Sequence, residues 1–278
     1  MSDWIQITAY FAEEPSDWSP VVSAFMDRGC PSVLQDSRPP HAQSCLQNTP
    51  GAEAVVEELR EALRALGANG FETHVAPDTD WDQVWRDHFK ARKVGRCVIV
   101  PTWETYRPEP GEVPITLDPG QAFGTGDHPT TRLCLRLLQD VPLEGMAVAD
   151  VGCGTGVLAI AAHKMGAHSV LGSDIDELSV DISRQNGALN EVDVDWIAIP
   201  GFDAVAEPVD VLLSNIISAT LIRLAPEAPP KVKPGGLWIV SGIIHSNWPD
   251  VRHTIEKAGF ALENHIEEDD WVAARFRR

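Results

Sequence analysis

The segment VADVGCGTGVLAIAAHKMGAHSVLGSDID, Val148 to Asp176, constrains the fold more than any other part of the chain. An apolar, β-prone run leads into Gly152, Gly154 and Gly156, and a helical pattern starts there. A second apolar run ends at Asp174, twenty-two residues after Gly152. Strand, glycine turn, helix and strand in that order make a βαβ unit, which implies a parallel sheet. The first strand then ends in bare backbone at a helix N-terminus, the usual ligand crevice of an open α/β sheet. An acidic residue closing the next strand can accept two hydrogen bonds from a ribose diol.

Two cofactors compete for such a crevice. A dinucleotide calls for G-x-G-x-x-G, with pyrophosphate over the helix N-terminus. Here Val157 stands at the third glycine position and Gly156 falls one residue early. That disfavours a nicotinamide oxidoreductase. G-x-G-x-G with a following acidic residue is the pattern of enzymes that use S-adenosylmethionine (SAM). SAM carries no phosphate, so the glycines serve close approach of its methionine and ribose parts. A glycine turn without a ligand is the plainer alternative, and the spaced Asp174 argues against it.

The pattern around this unit extends the sheet. Strands are expected at MAVADV, SVLGSD, VDWIAI, VDVLLS and GLWIVSG, with helices near 128–139, 156–166, 177–190, 218–230 and 247–259. FALENHIEE and WVAARFRR read as a closing antiparallel hairpin, and RCVIVPTW and VPITLDPG as short strands ahead of the sheet. Residues 77–93 carry Trp81, Trp85 and Phe89 four apart, one aromatic face of a linker helix. Residues 1–76 read as β, α, β, α, β, a small α+β domain of four strands with one strand not placed. The stretch 39–50 reads as a Pro-, Ser- and Gln-rich loop. The expected domains are thus 1–76, a linker at 77–93, and 94–278.

Two further places carry chemistry. LDPGQAFGTGDHPTT, Leu117 to Thr131, holds Gly120, Gly124 and Gly126 ahead of a helix started by Asp127, His128 and Pro129. It has no Lys after its glycines, so it is not a phosphate-binding P-loop. His128 could be imagined as a base, but a capping role suffices for it. The fourth strand ends in LLSNIISATL, which puts Asn215 just past its carboxyl end, where substrates meet the cofactor. Enzymes that methylate amino groups of flat groups hold [N/D]-P-P-[Y/F] there. Asn215-Ile216-Ile217-Ser218 keeps the Asn and lacks the prolines and the aromatic, which favours an aliphatic amine. The alternative for Asn215 is a helix N-cap.

Composition narrows the partners. The formal charge of −19 argues against gripping nucleic acid through phosphates. Residues 1–76 hold 11 Asp/Glu against 4 Lys/Arg, which serves solubility and also suits a basic partner. No apolar run is long enough to cross a bilayer, and MSDWIQITAYFAEEP lacks the basic and apolar blocks of a signal peptide. Cys30, Cys45, Cys97, Cys134 and Cys153 form no C-x-x-C pair. Neither a disulfide framework nor a metal site is expected, and a cytoplasmic location fits.

In order, DPGQAFGTGDHPTT, DVGCGTGVLAIAAHKMGA, GSDID, SNI and VKPGG resemble the methyltransferases of large-subunit ribosomal protein eleven, the PrmA family. The N-terminal domain and the linker segment WDQVWRDHFKARKVG are similar too, and the likeness covers nearly the whole chain. The resemblance implies an N-terminal ferredoxin-like domain that recognises substrate, and a seven-stranded class I methyltransferase domain. It implies methylation of lysine ε-amines and the N-terminal α-amine of that basic ribosomal protein; the charge and hydropathy above lead us to expect no nucleic acid or membrane partner. By motif, the cofactor positions fall on Thr131, Gly152, Asp174 and Asn215, with Gly154 and Gly156 in the turn. The loop around Phe123 looks like a lid over the methionine part of SAM, with Phe123 walling the transfer site. An alternative target is another protein's lysines, such as an electron-transfer flavoprotein subunit. A binding module without turnover is opposed by the intact set of cofactor residues. Residues 30–50 match no part of the family pattern.

Overall fold

The structure, a computed structural model, describes residues 4–15, 18–30, 33–37, 39–76, 90–118, 124, 126 and 128–278. The chain divides into two compact units, Met1–Phe89 and Lys90–Arg278.

The smaller unit runs β1 (Trp4–Phe11), α1 (Ser19–Met26), β2 (Leu34–Ser37), β3 (Pro40–Gln47), α2 (Ala52–Ala65) and β4 (Ala68–Ala76). Its sheet has the order β2-β3-β1-β4 with antiparallel pairs throughout. This is the expected ferredoxin-like arrangement. Ile5, Ile7, Ala9 and Phe11 alternate along β1 into one core with Val56, Leu59 and Leu63 of α2. Gly67, at φ 98°, ends α2 as expected.

The expected loop at 39–50 is corrected by the structure. Most of it is β3, the strand that sequence reading did not place. Its polar composition hid it, yet Ala42, Ser44 and Leu46 pair with Ala9, Ile7 and Ile5 and share their buried face. Pro40 stands at the first strand position, where a missing N–H is tolerated. The expected helix of residues 77–93, with Trp81, Trp85 and Phe89, lies outside the described residues as far as 89. Its last residues are a strand instead, because Gly95, at φ 61°, turns Arg92–Val94 back onto the next strand.

The larger unit opens with β5 (Arg92–Val94), β6 (Cys97–Pro101) and β7 (Val113–Leu117), a three-stranded sheet. There follow α3 (Pro129–Gln139), β8 (Ala147–Val151), α4 (Val157–Lys164), β9 (Ser169–Ser173), α5 (Glu177–Leu189) and β10 (Asp195–Ile197). The chain then forms β11 (Val209–Asn215), α6 (Ser218–Leu224), β12 (Val232–Ile244), α7 (Trp248–Lys257), β13 (Ala261–Glu268) and β14 (Trp271–Arg277). The helix expected to run to 230 stops at Leu224 and gives way to two 3-10 turns, since Pro226, Pro229 and Pro230 cannot continue the backbone bonding.

These strands build a seven-stranded sheet in the order β10-β9-β8-β11-β12-β14-β13. β8 to β12 pair in parallel, and β14 pairs antiparallel with both its neighbours. Side chains alternate across the sheet. Val211, Leu213 and Ile239 join one core with α3 and α4, while Leu212, Trp238 and Val240 join another with α6 and α7. The topology reverses at β8, from which the chain builds outward to β9 and β10, then crosses to β11. A ligand crevice belongs at that switch point.

Trp196 of β10 packs against the larger core and takes up the space beside three glycines, Gly156, Gly172 and Gly187. A methyl group on Gly172 would overlap the indole, and Gly172 has ordinary strand geometry, so the conflict is steric alone. Gly172→Ala is therefore expected to destabilise the larger unit by about 1–3 kcal/mol, the usual cost of overpacking. Urea unfolding measures it. In a Trp196→Leu background the same substitution should cost much less, and an unchanged cost would mean that the indole is not the obstacle.

Candidate functional site

Strand register gathers the site. Val151 lies opposite Ser173, Ser173 opposite Ile197, Leu213 opposite Asp150, and Asn215 opposite Ser241. The residues that follow β8 and β9, and the last residue of β11, therefore meet along one edge of the sheet. Gly152, Gly154, Gly156, Asp174 and Asn215 are brought together by this register alone.

The glycine turn is held from several sides. Gly152, Gly154 and Gly156 all take positive φ, at 83°, 52° and 81°, which L side chains rarely adopt. Gly152 and Cys153 donate their N–H groups to the Ser173 carbonyl at 2.8 and 2.9 Å. Asp174 accepts from the Gly154 N–H through Oδ2 at 3.0 Å and from the Asp176 N–H through Oδ1 at 3.1 Å. Each oxygen keeps capacity for a second donor. Gly156 caps α4, and Val157, where a dinucleotide fingerprint has glycine, is buried in the first turn of that helix.

Asp150, one residue before β8 ends, is fully buried. Burial pushes its carboxyl up to about 7; the Ala159 N–H opposes this at 3.2 Å, and the charge of Asp174 adds to it. Cys153 is buried inside the turn, with Sγ 3.3 Å from Ser183 Oγ. Burial drives its thiol well above the usual range.

Asn215 does not cap a helix. Ile217 occupies the N-cap of α6, without a side-chain bond. Asn215 Nδ2 instead donates to Thr131 Oγ1 at 3.4 Å, and Thr131 is fully buried. Asn215 Oδ1 is buried and has no hydrogen-bond partner among the described residues. Such an atom calls for a donor. The chain can pass here because Gly242, at φ 82°, leaves no Cβ against the Ile216 backbone, and Gly152 leaves none against the Ile216 side chain. Sequence reading missed Gly242. It also missed Thr155, Ser183 and Asn186, whose polar side chains are fully buried around the turn.

The flanking stretch is partly described. Gly120, Phe123 and Asp127 lie outside the described residues, so the catalytic role expected of Phe123 is not located. Gly124 and Gly126 take positive φ, and the Gly124 carbonyl accepts from Thr155 Oγ1 at 2.7 Å. His128 caps α3 with Pro129 behind it, its Nδ1 facing the Thr130 N–H at 3.4 Å and Thr130 Oγ1 at 2.8 Å. Its ring meets Trp271 edge-on, with centroids 4.7 Å apart. Burial, then the nearby Arg132 charge, lowers its pKa to about 4. A capping role is what the geometry supports.

The ribosomal protein L11 methyltransferase (PrmA) family matches residues 26–278. The chain belongs to this family. It is a SAM-dependent methyltransferase. The ribosomal protein L11 methyltransferase of Geobacter metallireducens is 44% identical over 77% of this chain and 76% of its own length. That of Caldanaerobacter subterraneus subsp. tengcongensis is 36% identical over 89% of this chain and 83% of its own. The crystal structure of ribosomal protein L11 methylase from Lactobacillus delbrueckii subsp. bulgaricus superposes with a TM-score of 0.64. It is 32% identical and covers 68% of this chain and 98% of its own. The donor set fits the family's cofactor: a carboxylate with open acceptor capacity for a diol, and an unpartnered amide oxygen for an N–H.

His128 yields a prediction of pH dependence. A histidine whose folded pKa lies below its unfolded value contributes stability that is complete above about 6.5 and is lost as pH falls toward about 4. The His128 ring signal in NMR should stay in its neutral form down to about pH 5. His128→Gln should flatten the loss of stability between pH 6.5 and 4. A ring that titrates near 6.5 contradicts the buried cap.

Proposed function

We propose that this chain transfers methyl groups from SAM to amines of ribosomal protein L11, at lysine side chains or the N-terminal α-amine. The names of the relatives favour that target over an electron-transfer flavoprotein subunit. The observation that carries the reading is Asn215 Oδ1, buried and without a partner among the described residues, at the same end of the sheet as the glycine turn and Asp174.

Bound SAM supplies a methyl group already activated by its sulfonium, so the chain's own work is positioning. In this reading Asp174 holds the ribose diol with the acceptor capacity its backbone bonds leave open. Gly152, Gly154 and Gly156 allow the cofactor close to the backbone. Asn215 Oδ1 accepts from an N–H where cofactor and target amine meet. Thr131 is fully buried, and its contribution runs through Asn215, whose amide it orients. Phe123 is assigned, from its place in DPGQAFGTGDHPTT alone, to exclude water at the transfer site. The amine must be neutral to attack, and a water-poor site disfavours the ammonium form. His128 is not assigned as base, because its Nδ1 is engaged in the cap and its affinity for protons is low.

The small unit is proposed to recognise the substrate. Its excess of acidic residues suits a basic protein, through steering that salt screens. Among the described residues no helix is long and apolar enough to cross a membrane. A cytoplasmic site of action is proposed, where ribosomal proteins are met.

Two outcomes test this. Asp174→Ala is expected to weaken SAM binding in calorimetry by about 1.5–3 kcal/mol, the worth of hydrogen bonds to a charged acceptor. Unchanged affinity removes the cofactor from this crevice. Removing residues 1–89 is expected to leave SAM affinity within about twofold, since that unit has a separate core. Methylation of intact ribosomal protein L11 should be lost, because the amine is no longer held near the methyl group. If the shortened chain methylates it at the full rate, recognition lies in the larger unit.

A further inference from the structure

The buried polar face of α5 is absorbed by none of the roles above. Ser183, Asn186 and Asn190 stand at i, i+3 and i+7, on one side of that helix, and all three are buried. Ser183 Oγ donates to the Gly154 carbonyl at 2.6 Å. Asn186 Nδ2 donates to the Thr155 carbonyl at 3.0 Å. Two successive carbonyls of the glycine turn are thus taken up by one helix.

Asn186 also faces the other way. Its Oδ1 accepts from the Asp118 N–H at 3.0 Å, just past β7. Thr155, whose carbonyl Asn186 holds, donates its own hydroxyl to the Gly124 carbonyl at 2.7 Å. Gly124 sits at φ 105°, and a Cβ there would come within 2.9 Å of that hydroxyl, so the approach is built for glycine. Asp118 and Gly124 are the two flanks of the DPGQAFG stretch. Both flanks therefore tie to one Asn186–Thr155 pair, of which Thr155 belongs to the glycine turn.

A purely structural buried asparagine needs only to have its own groups satisfied. This one joins three segments that are distant in sequence, each through backbone atoms whose placement sets the crevice. We propose that Asn186, acting through Thr155, is a positioning residue for SAM. It registers the glycine turn against Asp118 and Gly124, so that turn and flanks shape the crevice as one unit. The inference rests on the assignment of SAM to this crevice. Asn190 serves as the internal comparison. It bonds the Thr116 N–H at 2.9 Å and the Thr116 carbonyl at 2.6 Å, and it donates to the Asn186 backbone carbonyl at 2.8 Å, but among the described residues its side chain makes no hydrogen bond to the Asn186 side chain, Thr155 or Asp118.

The test is SAM affinity by calorimetry on the full chain, with thermal melting alongside. Asn186→Asp keeps the shape and an acceptor for Asp118 but puts an oxygen against the Thr155 carbonyl. It is expected to raise the Kd for SAM about tenfold or more, in line with the loss of a buried hydrogen bond. Should that variant not fold, Thr155→Val and Thr155→Ser take its place. The first removes the hydroxyl and should weaken SAM binding about fivefold or more, while the second keeps it and should restore affinity. Asn190→Ala should lower the melting temperature and leave the Kd unchanged. The inference is overturned if Asn190→Ala weakens SAM binding as much as the Asn186 or Thr155 changes do, or if the latter leave it intact. Asp174→Ala in the same series separates the two readings. If it alone loses affinity, the cofactor assignment stands and the positioning role falls; if it too binds normally, both fall.

Discussion

The site depends on a hydrogen bond from the Gly154 N–H to the Asp174 carboxylate. It links the turn after β8 to the residue that follows β9, the neighbouring strand. The turn can present that N–H because three of its residues adopt positive φ. Without glycine there the backbone would be strained, and without Asp174 the turn would lose one of its anchors. Together with the Asp176 N–H on the other oxygen, this contact sets where the carboxylate points.

Two carboxyl groups flank this turn and behave differently for reasons of environment. Asp150 is fully buried, its Oδ1 has no hydrogen-bond partner among the described residues, and burial raises its pKa to about 7. Asp174 is partly open and receives two backbone N–H groups. Burial favours the neutral form of a carboxyl, and for Asp150 it outweighs the Ala159 N–H that opposes it. The two acids therefore differ in access: Asp174 presents acceptor oxygens at the crevice, while Asp150 stays inside.

Much of this was legible in the sequence because glycine at fixed spacing leaves few backbone options. The βαβ unit, the alternating strands and helices, the closing hairpin and the placing of Asp174 and Asn215 all followed from periodicity and turn chemistry. What escaped had a physical cause. β3, Pro40–Gln47, is a central strand in which Leu46 is the one large aliphatic residue, so the buried face it shares with β1 against the helices is too weakly apolar to detect. Ser183 and Asn186 lie on a helix where polar residues ordinarily mark the solvent side; nothing short of the fold shows that backbone carbonyls face them. Gly242 mattered only because another segment crosses it.

Cys153 bears on chemical self-restraint. An enzyme that holds an electrophilic methyl group surrounds it with its own nucleophiles, and sulfur is the most eager of them in its thiolate form. Cys153 stands inside the glycine turn, between Gly152 and Gly154. Burial keeps its proton on the sulfur, and the Ser183 hydroxyl lies beside it. A thiol in that state is a poor acceptor for a methyl group. The chain can therefore keep a cysteine inside the turn proposed to hold its cofactor without becoming its own substrate.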